Sequence, residues 1–507
     1  MNTQGPNRVV IVGAGNAALS AALSAHENGA EVLILEAAPI ELRGGNSRFS
    51  NGSFRFAHGG LYPDAPDDVG RLLTPESLVD SERVAISPYS ADEFEHDVLS
   101  TSQYRSNREE LGSLVDHSYD AMEWLKGYGV EWELNLGFSN FSSATVTDPL
   151  VMEPGACVAS KGSGEGLMAA EFAAVERLGI EVWYNAVFQD FLIDEGAVRG
   201  VTVLLDGILT EVSGVVILAC GGFESNPEMR RKYLGEGWDL VAVRGTPFNT
   251  GAGLVKALDA GALAGGHWGG SHAVPTDADI PLIGDLEKSR SSERYAYHNG
   301  ILVNSAGHRF IDEGEDSFLM TYTKVGAAIC GQPGSFAYQI FDAEQRRNLH
   351  HHYDSHGTPI EADDIGSLAR KLGIPEAALE KTVSEFNAAC ANGTDRLNGA
   401  GQATTGLYPA KSNWAWPLQA GPFVAYKVTG GITFTYGGLV TDTRMNVLQL
   451  GGRPMPNLFA VGEIVGGLFY HDYPAAAGLT RGTVCGRIAG KAAALIAQEV
   501  PEMSLTV

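Results

Sequence analysis

"RVVIVGAGNAALSAALSAHENGAEVLILEAAP", residues 8–39, joins a short apolar run, a glycine-rich turn, an alanine-rich segment and a second apolar run. This order predicts strand, turn, helix and strand, with the turn at Gly13-x-Gly15-x-x-Ala18. The first glycine permits the tight turn, the second lets a pyrophosphate approach the backbone, and Ala18 lets the helix pack on the strand. Glu36 follows the second strand, where a carboxylate can accept from ribose hydroxyls. The stretch predicts dinucleotide binding; the alternative is a coincidental glycine-rich turn in another α/β protein.

The composition narrows the classes of function. The chain has 507 residues, which favours two domains, and a formal net charge of −26, which argues against nucleic acid and anionic membrane surfaces. No apolar run approaches about 20 residues, so no transmembrane helix is expected. The first strand begins too early to leave room for a signal peptide, and the five scattered cysteines are typical of reduced thiols. These features favour a cytoplasmic protein without a metal site.

A second glycine pair occurs in "ELRGGNSRFSNGSFRFAHGG", residues 41–60. Its residues Gly44, Gly45, Asn46 and Ser47 resemble the flavin-side loop of the fumarate reductase/succinate dehydrogenase flavoprotein superfamily. The resemblance continues through "GIEVWYNAVFQDFLIDEGAVRGV", "VVILACGGFESNPEMRRKYLG", "NTGAGLVKALDAGA" and "GGLVTDTRMNVLQLGGRPMPNLFAVGEIVGG", so that it covers essentially the whole chain. Within the superfamily, "HWGGSHAV", "VNSAGHRFIDEGED" and "GGITFTYGGL" are most similar to tricarballylate dehydrogenase-like proteins.

The resemblance implies an α/β fold. A discontinuous Rossmann-like FAD-binding domain, residues 1–265 and 426–507, would receive an inserted α+β cap domain, residues 266–425. The active site would lie between the two, as clefts at domain interfaces commonly do. In the cap, "ARKLGIPEAALEKTVSEFNAACANG" predicts two short helices, and residues 276–300 are predicted to form a polar loop.

The cofactor implied by the resemblance is FAD. The residues expected to hold it are Gly13, Gly15, Asn16, Ala17, Ala18, Glu36, Ala37, Gly44, Gly45, Asn46, Ser47, Val187, Gly221, Thr250, Gly251, Glu463, Gly478 and Leu479. Membrane-bound members of the superfamily carry the flavin covalently on a histidine of the glycine-pair loop. Asn46 occupies that position here, and an amide nitrogen is too weak a nucleophile to form the bond. The resemblance therefore predicts noncovalent FAD.

"GGLFYHDYPAAAGLTRG", residues 466–482, places a Tyr-Pro corner and several small residues ahead of a predicted helix. In the superfamily the flat ligand at this place is the isoalloxazine ring. A helix beginning near Gly478 would point its N-terminus at the edge of the ring that becomes negatively charged on reduction. The alternative is a helix N-terminus with an alanine-rich lead and no ligand.

The substrate side departs from the fumarate reductases at three positions. Tyr473 replaces an arginine that clamps a substrate carboxylate, Phe434 replaces a clamping histidine, and Ser317 or a neighbour stands where the proton-delivering arginine is expected. Fumarate is therefore expected to be a poor substrate. The Tyr-Pro corner resembles instead the flavin-dependent ketone desaturases, such as 3-ketosteroid Δ1-dehydrogenases, in which a tyrosine hydroxyl and a backbone N–H polarise a carbonyl.

The predicted catalytic residues are Tyr473, His272, Tyr322 and Tyr436. Tyr473, with the N–H of Ala477 or Gly478, would donate to a developing enolate oxygen, and Tyr322 and Tyr436 are candidate bases. His272 is the candidate for the superfamily's remaining substrate histidine. An ordinary buried ring with a satisfied hydroxyl is the alternative for each tyrosine.

Other charged residues are harder to place. A tricarboxylate would need cationic anchors, for which the candidates are Lys288, Arg290, Arg294 and Arg481. The alternative for each is a solvated surface charge. His298 is predicted to lie at the surface.

The leading function is an FAD enzyme that introduces or reduces a carbon–carbon double bond next to a carbonyl or carboxylate. It would act on a small molecule and exchange electrons with an unidentified acceptor or donor. The alternatives are a flavin monooxygenase or oxidase on the same fold, and a flavoprotein subunit that passes electrons to an iron–sulfur partner. No nucleic-acid partner and no membrane insertion are expected.

Overall fold

The computed structural model describes residues 8–80, 83–136, 150–279, 283–347, 349, 352–355, 357–390 and 401–499. Its strands in chain order are Arg8–Val12 (β1), Glu31–Leu35 (β2), Ser53–Phe54 (β3), Val84–Ala85 (β4), Trp132–Leu134 (β5), Leu150–Val151 (β6), Val158–Ser160 (β7), Glu181–Trp183 (β8), Ala186–Asp194 (β9), Ala197–Leu205 (β10), Ile208–Ser213 (β11), Val215–Leu218 (β12), Ala242–Val243 (β13), Ala264–Asp277 (β14), Ile301–Val303 (β15), Phe336–Phe341 (β16), Ile360–Ala362 (β17), Phe423–Leu439 (β18), Asn446–Gln449 (β19) and Arg453–Ala460 (β20). Its α-helices are Asn16–Glu27, Gly45–Phe49, Pro75–Asp80, Ala91–Thr101, Arg108–Asp116, Ser118–Tyr128, Ser163–Arg177, Pro227–Tyr233, Ala252–Asp259, Leu286–Ser291, Phe318–Cys330, Ala343–Arg346, His352–Ser355, Ile365–Leu372, Glu376–Ala389 and Ala477–Glu499.

The strands of the opening stretch lie at the centre of a six-stranded sheet of order β19-β20-β12-β1-β2-β8. β1 pairs in parallel with both neighbours, so that Val10 lies between Val216 of β12 and Leu33 of β2. Every residue of β1 and β12 is buried, as expected for parallel strands covered on both faces. The predicted strand–turn–helix–strand unit is therefore confirmed, and this sheet is the core of the Rossmann-like FAD-binding domain.

The first helix, Asn16–Glu27, packs closely against the last helix, Ala477–Glu499. Three glycines at a spacing of four residues, Gly482, Gly486 and Gly490, lie on the contact face of the last helix. A Cβ atom on Gly486 would lie 2.6 Å from the carbonyl oxygen of Ala17, and one on Gly490 would meet the backbone of the first helix at 2.3 Å. The absence of side chains lets the two helix N-termini converge at one end of the sheet.

Two long antiparallel strands, β14 and β18, lead into and out of the inserted α+β cap. Strands β15, β16 and β17 extend the sheet of β18, and the helices Phe318–Cys330, Ile365–Leu372 and Glu376–Ala389 belong to the same insertion. The last two are the pair predicted from sequence. Both predicted domain boundaries, 265/266 and 425/426, fall inside β14 and β18, and the division at those residues stays a prediction.

Residues 276–300 are not simply a loop. They contain the helix Leu286–Ser291, which Asp285 caps by accepting a hydrogen bond from the backbone N–H of Lys288 at 3.1 Å, and a 3-10 turn at Ala296–Asn299. Buried Arg294 anchors the segment by pairing with Asp277 at 2.8 Å. The polar composition that suggested a solvated loop instead reflects these buried polar contacts.

None of the helices in the described part of the chain combines the length and apolar character of a membrane span. The five cysteines are free thiols, and all except half-buried Cys220 are buried.

Candidate active site

A cavity opens where the parallel strands β1, β2 and β12 end. Most residues predicted to hold the cofactor line it: Gly13, Gly15, Asn16, Ala17, Glu36, Ala37, Gly45, Asn46, Ser47, Val187, Gly221, Thr250, Gly251 and Glu463. Ala18 lies behind the wall and is fully buried in the core, and Gly44 precedes the helix Gly45–Phe49 without lining the cavity. Fourteen of the eighteen residues predicted to hold the cofactor therefore line this cavity, and their role in binding stays a prediction.

The glycine turn has the geometry that a dinucleotide requires. Gly13 has φ +109°, and a Cβ there would lie 2.4 Å from the carbonyl oxygen of Ala219. Beyond the turn, the side chain of Asn16 donates to the carbonyl of Leu479 at 2.9 Å, which ties the start of the first helix to the start of the last. The N-termini of the first and last helices therefore lie close together at this cavity, and each favours a negatively charged ligand.

Glu36 occupies the predicted position at the end of β2. Its carboxylate is buried and accepts from the backbone N–H of Ala38 at 2.8 Å. Burial raises the pKa of Glu36 to about 7, because the neighbouring N–H groups offset only part of the lost hydration. Donation from ribose hydroxyls would supply the missing stabilisation of the carboxylate.

A buried carboxyl pair lies at the cavity wall, with Glu463 in the lining and Glu224 fully buried behind it; only Glu463 was predicted from sequence. Glu224 accepts from Asn46 Nδ2 at 2.6 Å and from Asn249 Nδ2 at 2.5 Å. Glu463 accepts from the backbone N–H of Thr435 at 2.8 Å. Burial raises the pKa of Glu224 well above its ordinary value, and the adjacent Glu463 raises it further. Glu224 follows directly on the Gly-Gly-Phe turn, which is the signal that could have identified it.

A second cavity adjoins the first, and the two share Asn16, Ala17, Asn46, Ser47, Gly462 and Glu463. Three of the four predicted catalytic residues line it: Tyr473, His272 and Tyr322. Gly478 and Leu479 also lie here rather than in the first cavity. The helix N-terminus therefore faces the junction between the two cavities.

Several aromatic rings cluster on one side of the second cavity. The ring of His272 lies edge-on to Tyr473 and Tyr322, with ring centroids 4.9 and 5.1 Å apart. Phe434 lies 6.0 Å from Tyr473, ring centre to ring centre. His272 Nε2 and the Tyr322 hydroxyl form a 2.7 Å hydrogen bond. This wall suits a flat, largely apolar ligand.

The protonation states of this pair follow from burial. Burial, with the nearby charge of Arg244, lowers the pKa of His272 to about 3, so the imidazole is neutral at ordinary pH. Burial also raises the pKa of Tyr322 well above its ordinary value. A neutral imidazole can accept the phenolic proton, and neither ring carries a charge before the reaction.

Tyr473 differs in one respect from its predicted role. Its hydroxyl oxygen accepts a hydrogen bond from the backbone N–H of Gly478 at 2.5 Å, so this N–H polarises Tyr473 rather than a ligand directly. Burial raises the pKa of Tyr473 to about 12, although the Gly478 N–H opposes that rise. The hydroxyl is therefore protonated, with its own proton available to an acceptor in the cavity.

Tyr436 does not line the second cavity. Its hydroxyl lies 3.4 Å from Thr323 Oγ1, and its ring packs against Phe434 and Phe469. Ser317 caps the helix Phe318–Cys330 by accepting from the backbone N–H of Leu319. His298 is buried instead of lying at the surface, because it packs edge-on against Trp414.

Three of the four predicted cationic anchors, Lys288, Arg294 and Arg481, do not line the cavity. Lys288 is exposed, Arg294 pairs with Asp277, and buried Arg481 pairs with Glu110, so the last two are structural ion pairs rather than surface charges. The side chain of Arg290 lies outside the described residues. The arginine that does line the cavity is Arg244, directly after β13. An arginine next to a buried strand, in "VAVRGTPFN", is the signal that sequence reasoning missed.

A family model described as "FAD binding domain" matches residues 8–70 and 79–478. The chain belongs to this family. It is 28% identical to the probable fumarate reductase Ifc3 of Shewanella frigidimarina over 96% of this chain and 74% of that protein. It is also 28% identical to 4-oxocyclohexanecarboxylate 2-dehydrogenase of Sinomonas cyclohexanicum, over 96% of this chain and 93% of that protein.

The fold is similar to that of 3-ketosteroid delta1-dehydrogenase from Sterolibacterium denitrificans in complex with 1,4-androstadiene-3,17-dione. The TM-score is 0.73 at 20% identity, with 97% of this chain and 100% of that one covered. The predicted flavoprotein superfamily, with its likeness to ketosteroid dehydrogenases, and the FAD cofactor are confirmed.

Proposed function

We propose that this chain removes hydrogen from, or adds it to, a carbon–carbon bond adjacent to the carbonyl of a ketone. It is an FAD-dependent oxidoreductase of the class that acts on CH–CH groups. The observation that carries the ketone assignment is that one cavity contains both a donor, Tyr473, and a candidate base, the Tyr322–His272 pair.

Tyr473 would activate the substrate carbonyl. Its hydroxyl accepts from the Gly478 N–H, and hydrogen bonds in a chain polarise one another, so its own proton becomes a better donor. A donor aimed at a carbonyl oxygen stabilises the enolate that develops when an adjacent proton leaves. Tyr473 is therefore proposed to touch the substrate.

Tyr322 and His272 would take the proton. The Tyr322 oxygen can remove the proton from the carbon α to the carbonyl while its own proton moves toward His272 Nε2. Because burial lowers the pKa of His272 to about 3, the imidazole takes that proton only as the hydride leaves. The electron pair of that C–H bond forms the double bond as a hydride leaves the β-carbon. When bound, FAD supplies the acceptor for this hydride, which carries two electrons. The reverse sequence reduces the double bond.

The residues of the first cavity suit FAD. Gly13 leaves space against the backbone, Glu36 would accept from ribose hydroxyls, and Glu463 lies at the junction of the two cavities. Asn46 makes three hydrogen bonds, to Glu224, to the carbonyl of Thr433 and from the N–H of Thr246. Because these hydrogen bonds occupy the Asn46 amide, they support the proposal that FAD is bound noncovalently.

The narrower likeness to tricarballylate dehydrogenases stays a proposal, and the second cavity gives it little support. Three carboxylates would need several cationic partners, whereas the cavity's described lining contributes Arg244 alone. A cytoplasmic location and the identity of the electron acceptor also stay predictions.

The test is anaerobic mixing of the FAD-loaded protein with cyclic ketones, with flavin bleaching followed by stopped flow. Bleaching by a ketone, with recovery of the unsaturated ketone, is expected. Bleaching by tricarballylate but by no ketone would contradict the assignment. Rapid reoxidation of the bleached flavin by oxygen would favour the oxidase or monooxygenase alternative.

A further inference from the structure

The wall of the second cavity contains a buried ion pair that the proposed reaction does not use. Arg244 Nη2 lies 2.8 Å from Glu293 Oε1, and both side chains are at least nine-tenths buried. Both residues line the cavity. A charged pair buried in a cavity wall is costly to desolvate, so its presence beside the aromatic cluster needs an explanation.

Neighbouring polar groups hold both members of the pair, and Tyr295 is among them because its side chain hydrogen-bonds Glu293. Arg244 donates through Nε and Nη2 to the carbonyl of Ser289, at 3.3 and 2.9 Å. Asn51 Nδ2 lies 3.3 Å from Glu293 Oε1. Gly431 leaves the space for the arginine stem, since a Cβ there would lie 2.6 Å from Arg244 Cδ. These contacts fix the Arg244 side chain in one position, and Glu293 neutralises its positive charge there.

One donor of the arginine remains. Within the described part of the chain, Arg244 Nη1 makes no hydrogen bond. The backbone N–H of Arg244 bonds to the carbonyl of Ile432, two residues along β18 from Phe434, which packs against Tyr473. Two strand residues span about 7 Å. The cavity thus offers two separated donors, Tyr473 Oη and Arg244 Nη1.

The charges nearby decide what kind of acceptor the second donor suits. His272 and Tyr322 are neutral, Glu293 neutralises the charge of Arg244, and Glu463 at the cavity junction is a carboxyl whose pKa burial raises. Among the residues that the structure describes, a substrate carboxylate would lose its hydration without meeting an unpaired cation, whereas a carbonyl or hydroxyl oxygen would lose little.

We propose that the Arg244–Glu293 pair makes this an enzyme for uncharged ketones that carry a second carbonyl or hydroxyl oxygen, which Arg244 Nη1 binds. The pair correspondingly excludes substrates with a carboxylate at that position. This inference rests on the proposed function and adds the substrate's charge and its second polar group.

The experiment compares 4-oxocyclohexanecarboxylate with its methyl ester, titrated against the oxidised holoenzyme and followed by the change in flavin absorbance. The ester is expected to bind at least about tenfold more tightly than the acid, the effect of one charge-assisted contact. Glu293→Gln leaves Arg244 unpaired and should reverse the preference. Glu287→Gln removes an exposed glutamate from the same segment and should leave it unchanged.

Tighter binding of the acid by the parent, lost in Arg244→Met, would overturn the proposal, since Arg244 would then be a carboxylate anchor. If Glu293→Gln does not hold FAD, the double variant Arg244→Met/Glu293→Leu is used. It should still reject the acid but lose affinity for the ester about tenfold; unchanged affinity for the ester would overturn the role of Arg244. Binding is read without turnover, so absence of bleaching by every ketone would contradict the proposed function alone.

Discussion

Gly478 donates its backbone N–H to the hydroxyl oxygen of Tyr473 at 2.5 Å, five residues earlier in the chain. The bond closes the Tyr-Pro corner onto the first turn of the last helix. It also fixes the direction of the phenol. The hydroxyl oxygen accepts from Gly478, so the hydroxyl proton remains free to donate to a group in the cavity. Tyr473 therefore acts as a donor that the helix N-terminus holds in place.

Tyr473→Phe should lower the rate of flavin reduction by a true substrate by about 10²–10³-fold, the usual cost of one donor to a developing oxyanion. FAD content should not change, since the cofactor cavity lies on the glycine turn. Stopped-flow reduction of the variant gives the measurement. Tyr338→Phe serves as the control, because the Tyr338 hydroxyl bonds to the carbonyl of Leu372 at 3.2 Å and the residue does not line the second cavity. A Tyr473→Phe rate within threefold of the parent would remove Tyr473 from the mechanism.

Acid precipitation of the holoprotein should release all the yellow colour into the supernatant, as FAD. The reason is Asn46, whose amide is engaged on both sides, with Glu224 and Thr433 as acceptors and the Thr246 N–H as donor. Identification of the released flavin by chromatography completes the measurement. Colour that stays in the washed pellet would show a covalent bond, and FMN in the supernatant would contradict the dinucleotide assignment.

The cofactor cavity could be predicted from local sequence because its parts are backbone turns. A glycine turn such as that at Gly13, and an acid such as Glu36 at a strand end, leave a signature within a few residues. The second cavity is assembled from distant segments, β13, β14, β18 and the helix Phe318–Cys330, and its ion pair joins residues 49 positions apart. Nothing near Arg244 in the sequence indicates that Glu293 faces it. Arg294 and Arg481 illustrate the same difficulty, since a buried partner turns an apparent surface charge into a structural one.

Gly486→Ala should destabilise the protein by about 1–3 kcal/mol and weaken FAD retention, because the added methyl would meet the carbonyl of Ala17 at 2.6 Å. Separating the first and last helices would also separate their N-termini at the cofactor cavity. Gly112→Ala is the matched control, since Gly112 lies in the helix Arg108–Asp116 and a Cβ there meets nothing within 4 Å. It should stabilise by about 0.4–1 kcal/mol. Thermal melting with flavin content on the same samples measures both, and equal effects of the two changes would contradict the close helix contact.

His272 and His298 should make the protein less stable as the pH falls. Burial is the main cause that lowers the pKa of each to about 3, against 6.5 for an ordinary histidine. Between about pH 6.5 and pH 3 the unfolded chain therefore holds a proton on each imidazole that the folded chain does not. The contribution of the two histidines to the free energy of unfolding is therefore greatest above pH 6.5, and it declines as the pH falls toward 3. At pH 5 each histidine should contribute about 1.4 kcal/mol per pH unit to that slope.

His272→Phe and His298→Phe keep a ring of similar size and remove the titrating group. Each should reduce the pH slope of the unfolding free energy by about one proton, measured by denaturant titrations from about pH 4 to pH 5.5, around the midpoint of the window. The buried carboxyls of Glu36 and Asp472, whose pKa values burial raises to about 7, act in the opposite direction but are common to parent and variants. The two variants should differ in catalytic rate. Only His272 bonds to Tyr322 in the cavity, so His272→Phe should slow flavin reduction and His298→Phe should not. Equal rates in both variants would leave His272 a packing residue and take the Tyr322–His272 pair out of the proton transfer.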